Sequence, residues 1–150
     1  MRIAAAQTPE FRNDIAAALD WAEDVVVVAA AEGAALLCFP EAYLQGYLAD
    51  TSAHDAAIEL NSDAFAAMAS RLSRPGLSIV LGLIERDREQ ICNTAVVIAD
   101  GRLSGRYRKV NLLDGERVFA PGTESPTFET GGLRFGINIC SDTNSPASAA

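Results

Sequence analysis

Two periods of hydrophobic and polar positions run along this chain, and the change from one to the other divides it. Residues 3–7 open as a short apolar run, which predicts a buried strand. Asn13 or Asp14 stands where a helix cap belongs, and residues 15–32 read as a helix stopped by Gly33. Residues 34–39 are apolar up to Pro40 and predict a second buried strand, followed by a loop over 44–54. Residues 55–72 place Ile58, Phe65, Met68, Ala69 and Leu72 near one helical face, and Arg74-Pro75-Gly76 ends that helix. From residue 77 the chain reads as strands joined by turns. Residues 77–85 and 91–99 form a pair around a turn at 87–90, and Asp100-Gly101 signals a second hairpin into 102–108. A loop over 118–130 contains Pro121-Gly122 and Pro126, and the alternating run from Leu133 to Ile139 predicts a last strand ending at Cys140.

The order β-α-β-α-β-β-β-loop-β predicts an α/β protein built on a mixed sheet with helices on one face. No internal repeat is present. The small-residue tail over 145–150 lacks apolar periodicity, and reads either as disordered or as the start of a helix.

Composition narrows the classes. A chain of 150 residues, 49% hydrophobic and 21% charged, suits one globular domain with a sizeable core. The net charge of −8, from 20 acidic and 12 basic residues, argues against general affinity for nucleic acid or anionic membrane. The first residues turn polar too soon for a signal peptide, and the apolar run over 25–31 is far shorter than the ~20 residues of a membrane helix. Cys38, Cys92 and Cys140 show no CxxC spacing, so reduced thiols and a cytoplasmic location are expected. A single histidine, His54, leaves no His-rich metal site and no Cys-His pair of papain type to favour. No GxGxxG or P-loop pattern supports nucleotide phosphate binding.

Candidate chemistry sits at the ends of the predicted strands. Cys140 closes the last strand and precedes a turn or helix start, where a helix dipole and a nearby cation lower a thiol pKa. Glu41 follows Phe39-Pro40 at the carboxyl end of a buried strand, a position suited to acid–base work. Lys109 ends the third hairpin strand, where an ammonium can hold an oxyanion. Each also has an ordinary reading: an inert buried thiol, a solvated loop carboxylate and a surface cation. Glu116, in a loop-like segment, reads by itself as an exposed charge, and Cys38 and Cys92 read as core.

Together these segments resemble the nitrilase, or carbon–nitrogen hydrolase, superfamily. Phe39-Pro40-Glu41-Ala42-Tyr43-Leu44-Gln45-Gly46-Tyr47 is similar to its first-glutamate block. Asn93-Thr94-Ala95-Val96-Val97-Ile98, with Gly101 and Tyr107-Arg108-Lys109-Val110-Asn111-Leu112, is similar to its lysine block. Glu116-Arg117-Val118-Phe119-Ala120-Pro121-Gly122 resembles the stretch with the second glutamate, and Gly136-Ile137-Asn138-Ile139-Cys140-Ser141-Asp142 resembles the nucleophile block. After the cysteine the family usually continues with an aromatic residue and then Phe-Pro-Glu, where this chain has Ser141 and Ser145-Pro146-Ala147.

The resemblance implies hydrolysis of small linear amides without metal or organic cofactor. It implies Glu41 as general base, Lys109 as stabiliser of the tetrahedral intermediate, Cys140 as nucleophile and Glu116 as support for Lys109. The partner implied is a small amide, with neither nucleic acid nor membrane, and full-length relatives are expected to be homo-oligomers. The fold implied is the N-terminal half of an α-β-β-α sandwich, so residues 1–150 are expected to form a carbon–nitrogen hydrolase domain incomplete at its C-terminus. Such a half would expose apolar sheet, be marginally stable or depend on a partner. Two further readings stay open: a non-catalytic fragment, and a glutamine-amide-hydrolysing domain that feeds ammonia to a synthetase.

Overall fold

The computed structural model describes residues 1–145. The predicted fate of the tail beyond Ser145 lies outside the described residues. The element order is β1 (Arg2–Ala5), α1 (Ile15–Ala31), β2 (Ala34–Cys38), α2 (Ser52–Ala56), β3 (Ile58–Glu59), α3 (Asp63–Arg71), β4 (Ser78–Asp87), β5 (Gln90–Ala99), β6 (Arg102–Arg108), β7 (Phe128–Thr130) and β8 (Leu133–Phe135). Short 3-10 turns cover Asp114–Glu116 and Cys140–Asn144.

The main sheet runs β1-β2-β4-β5-β6, with β3 on the same edge of β4 as β2. β1, β2, β3 and β4 are parallel, whereas β4-β5 and β5-β6 are antiparallel hairpins. The sheet is therefore mixed, as the order of elements predicts. Strands β4 and β5 are buried almost throughout, which explains their near-continuous apolar sequence. Asp100 and Gly101 both have positive φ in the β5-β6 turn, the conformation a two-residue hairpin requires.

Helices α1 and α3 cover one face. Ala18, Ala22 and Val26 of α1, and Phe65 and Met68 of α3, pack in one core with sheet residues such as Leu37, Ile79, Leu81 and Val96. Of the two candidate caps for α1, Asp14 is the one used: its carboxylate accepts from Ala17 N at 3.0 Å. Gly33 follows at φ 71°. The opposite face carries a second cluster of Leu36, Val80, Ala95, Val97, Tyr107 and Ile139, against which Phe128, Leu133, Phe135 and Ile137 pack. At the end of the sheet β1 has a neighbour on one side only, and Ile3 is 56% exposed.

Three expectations need correction. The opening strand, predicted as buried, is an exposed edge strand in which only Ala4 is partly buried. The helix predicted over 55–72 is broken. Ile58 and Glu59 pair with Glu85 and Arg86 of β4, and Ser62 then caps a new helix by accepting from Phe65 N at 3.2 Å. Ladder hydrogen bonds to β4, invisible in local spacing, override helical periodicity there. The last strand does not reach Cys140 either. Leu133–Phe135 pairs only with β7, a strand inside the segment predicted as loop, and residues 136–139 belong to no ladder. The alternation is still real: Leu133, Phe135, Ile137 and Ile139 turn inward while Arg134, Gly136, Asn138 and Cys140 are exposed. This extended segment is laid against the sheet face instead of joining its edge, and alternation alone reports only the burial.

Candidate active site

Beyond β2 the chain stays on the edge of β4. Phe39 N donates to Val80 O at 2.8 Å and Leu44 N to Gly82 O at 3.1 Å. The buried Gln45 side chain then completes the edge, donating to Ile84 O at 3.1 Å and accepting from Ile84 N at 3.0 Å. Glu41 sits in the middle of this crossing. Gly82 makes the approach possible: a Cβ there would lie 2.1 Å from Pro40 O and 2.7 Å from Ala42 N. Ala42, next to Glu41, has φ 49°.

Lys109 extends β6 by one register position, its N–H donating to Asn93 O at 2.9 Å while its own carbonyl accepts from Gly122 N at 2.8 Å. Its side chain points into the protein and is fully buried. Nζ lies 2.7 Å from Glu116 Oε1 and 2.9 Å from Glu41 Oε1. The ordinary readings of Lys109 as a surface cation and Glu116 as an exposed charge therefore fail, since both side chains are 0% exposed. Glu116 is held further by Leu113 N–H on Oε2 at 2.7 Å and by the Tyr47 hydroxyl on Oε1 at 2.9 Å.

Asn93 Nδ2 donates to Glu41 Oε1 at 2.7 Å, so that oxygen carries two donors. Glu41 Oε2 has no hydrogen-bond partner among the described residues, and the side chain keeps 23% exposure. One carboxylate oxygen is thus anchored and the other is available for proton transfer. Asn93 Oδ1 is buried without a partner among the described residues. Turning the amide over would bring that oxygen against the carboxylate, so electrostatics select the orientation seen.

Cys140 begins a 3-10 turn at φ 46°, a left-handed conformation uncommon for any residue with a side chain, and it is exposed. Cys140 and Glu41 line one cavity of about 470 Å³, walled by Leu36, Val80, Ala95 and Phe135. The thiol makes no hydrogen bond to Glu41 or Lys109 among the described residues. Glu41, Lys109 and Glu116 are thus in direct contact, and Cys140 joins them only as a second wall of Glu41's cavity. Cys92 is core as expected, but Cys38 also lines that cavity. Burial pushes both of these thiols up.

The turn that carries Cys140 rests on Asp142. It is fully buried and accepts from Tyr107 OH at 2.6 Å, Ile139 N at 3.0 Å, Asn111 N at 2.7 Å and Asn111 Nδ2 at 3.1 Å. Burial raises its pKa, but these donors outweigh it and hold the carboxyl below the usual range. Local sequence did not mark Asn93, Tyr47 or Asp142 as functional; the only available signal was their place inside the four similar blocks.

Burial alone would lower the Lys109 pKa, yet Glu116 and Glu41 raise it overall. Burial likewise works against the Glu116 anion, yet the Leu113 N–H, Lys109 and Tyr47 bring its pKa down. Burial, then Glu116 itself, pushes the Tyr47 hydroxyl up to about 12. Glu116 therefore contributes stability that is complete above the ordinary glutamate value of 4.5 and disappears as pH falls through its lowered value. Lys109 contributes stability that is complete below the ordinary lysine value of 10.5 and disappears as pH rises through its raised value. The melting temperature is expected to be flat from about pH 5 to about pH 9, the ordinary thiol value past which the two raised cysteines begin to cost stability, and to fall on both sides. Glu116→Gln should flatten the acid limb; an unchanged acid limb would show that this carboxylate is not paired in the folded state.

Among the described residues no group of three or more His, Cys, Asp or Glu side chains is placed to hold a metal, and no helix is long and apolar enough to cross a membrane. The family model described as carbon-nitrogen hydrolase matches residues 2–150. A glutamine-dependent NAD(+) synthetase of Thermotoga maritima is 31% identical over 97% of this chain and 26% of its own length. An (R)-stereoselective amidase of Pseudomonas sp. is 30% identical over 74% of this chain and 41% of its own. The crystal structure of an amidase from Nesterenkonia sp. superposes with a TM-score of 0.81 at 27% identity, covering 99% of this chain and 58% of that one. A structure of a mutant of the amidase from Nesterenkonia sp. AN1 shows covalent addition of the acetamide moiety of fluoroacetamide at that protein's active-site cysteine. The chain spans 26% and 41% of the length of these two curated relatives. With a sheet, a helical face and four sequence blocks all in agreement, and the family model matched from residue 2 onward, this chain belongs to the carbon–nitrogen hydrolase family of the nitrilase superfamily.

Proposed function

We propose that this chain carries the catalytic groups for hydrolysis of small linear amides, releasing ammonia and a carboxylic acid. The observation that carries the reading is a buried ammonium shared between two carboxylates, one of which keeps a free oxygen on a cavity that a thiol also lines. Glu41 Oε2 takes the Cys140 thiol proton, and the thiolate attacks the amide carbon. The Lys109 ammonium stabilises the oxyanion that forms. Glu41 returns the proton to the leaving nitrogen as the C–N bond breaks, giving ammonia and a thioester. It then takes a proton from water, whose oxygen attacks the thioester carbon; the C–S bond breaks and the thiol is restored. Glu116 works through Lys109 by fixing Nζ. The relatives that are amidases support the bond class.

A second reading differs only in substrate. The similarity to a glutamine-dependent synthetase favours the side-chain amide of glutamine, and a panel of small amides with glutamine beside them separates the two.

The first test needs no substrate. Iodoacetamide alkylation of the three cysteines near pH 7, mapped by peptide mass spectrometry, is expected to modify Cys140 roughly tenfold or more faster than Cys38 and Cys92. Equal, slow rates at all three would end the nucleophile reading.

A further inference from the structure

We infer that Asp142 is a positioning residue that locks the Cys140 corner to the strand end carrying Lys109, an inference that rests on Cys140 being the nucleophile. The geometry is a tether between distant segments. Two of its donor residues, Tyr107 and Asn111, lie two positions either side of Lys109. A third, Ile139, immediately precedes Cys140, and Asp142 itself lies two positions after it. One carboxylate thus sets where Sγ stands relative to Nζ, across more than thirty residues of intervening chain. Ser141 adds a parallel tie through its hydroxyl, which donates to Asn111 O. Thr143 steadies the corner from the other side, its hydroxyl donating to Cys140 O at 2.8 Å.

The donor count explains why a carboxylate is needed. Four N–H and O–H groups converge on two oxygens, and no cation is among the partners. A neutral amide offers one acceptor oxygen and would turn its NH2 toward at least one backbone N–H, setting donor against donor. The corner must also hold Cys140 at φ 46°, a conformation that persists only where the surroundings impose it. Asp142 supplies that constraint and, among the described residues, makes no hydrogen bond to the thiol or the ammonium.

The test compares Asp142→Asn and Tyr107→Phe with wild type in the full 150-residue chain. Asp142→Asn is expected to slow Cys140 alkylation roughly tenfold or more with Cys38 and Cys92 unchanged, because misplacing a reacting group by about 1 Å carries a penalty of that order. Tyr107→Phe removes one donor of the four and is expected to slow it about threefold. In amide turnover the loss should appear in kcat with KM nearly constant, read at a temperature where circular dichroism shows the variant fully folded, so that a smaller folded fraction is not its cause. A folded Asp142→Asn chain with wild-type Cys140 reactivity overturns the inference. If circular dichroism shows that variant unfolded, Tyr107→Phe decides, and wild-type reactivity there overturns it equally. Should wild-type Cys140 itself react no faster than the other thiols, the proposed function fails first, and amide exchange then judges the tether. Joint loss of protection at Asn111 and Ile139 in Asp142→Asn supports it, and unchanged protection overturns it.

Discussion

Cys140→Ala is expected to abolish ammonia release from any amide the chain accepts, by on the order of 10⁴-fold or more, while leaving the melting temperature almost unchanged. The two halves of this expectation have different causes. Cys140 is exposed at a corner, so truncating its side chain opens no cavity and leaves no buried group without a partner. Alanine faces the same left-handed backbone conformation as cysteine, so strain at this position does not change. Without sulfur no thioester forms, and the remaining groups can only polarise the substrate for slow attack by water. Ammonia release and thermal melting measured on one preparation check both halves. Release at the wild-type rate would place the nucleophile elsewhere. A large fall in melting temperature would mean that Cys140 packs as a structural residue.

Lys109→Met should have the opposite profile, since it removes function and stability together. Glu116 is 0% exposed, and without the ammonium its charge retains only the Leu113 N–H and the Tyr47 hydroxyl. Breaking a buried pair by removing one partner typically destabilises by about 3–5 kcal/mol. The two surviving donors put this case toward the lower end, a fall of roughly 6–12 °C in melting temperature for a domain of this size. With Lys109 stabilising the oxyanion as proposed, its loss should cut turnover by about 10²–10³-fold as well. The double variant Lys109→Met with Glu116→Gln should recover part of the stability, because no uncompensated charge is left, and none of the turnover. A single variant as stable as wild type would show that Glu116 is neutral or solvated in the folded protein.

Much of this architecture is legible in the sequence where neighbours along the chain settle the matter. The β4-β5-β6 meander follows from apolar strand runs separated by turn residues and an Asp-Gly turn, and α1 from its cap and its glycine stop. The helix over 55–72 fails because Ile58 and Glu59 find ladder partners on β4, which no local pattern announces. The last strand fails for a related reason: alternation over 133–140 records which side chains are covered, and says nothing about which backbone, if any, lies alongside. Glu116 shows the same limit for chemistry. A glutamate in a polar, glycine-containing loop reads as solvated until the tertiary structure brings Lys109 and Tyr47 to it.

Residue type, order and spacing by themselves determined the helix-then-hairpin plan, the family resemblance, and the presence of a thiol, an ammonium and a carboxylate at strand ends. Those properties depend on local propensity and on chemistry carried in single residues. Which oxygen of Glu41 is anchored, how far Lys109 is buried, and how Asp142 joins the Cys140 corner to residues 107 and 111 were decided only by the tertiary structure. Hydrogen bonds and burial at those points connect groups that are 31 to 68 positions apart. Their energy depends on distance and solvent exclusion in three dimensions, and neither quantity is carried by any one stretch of chain.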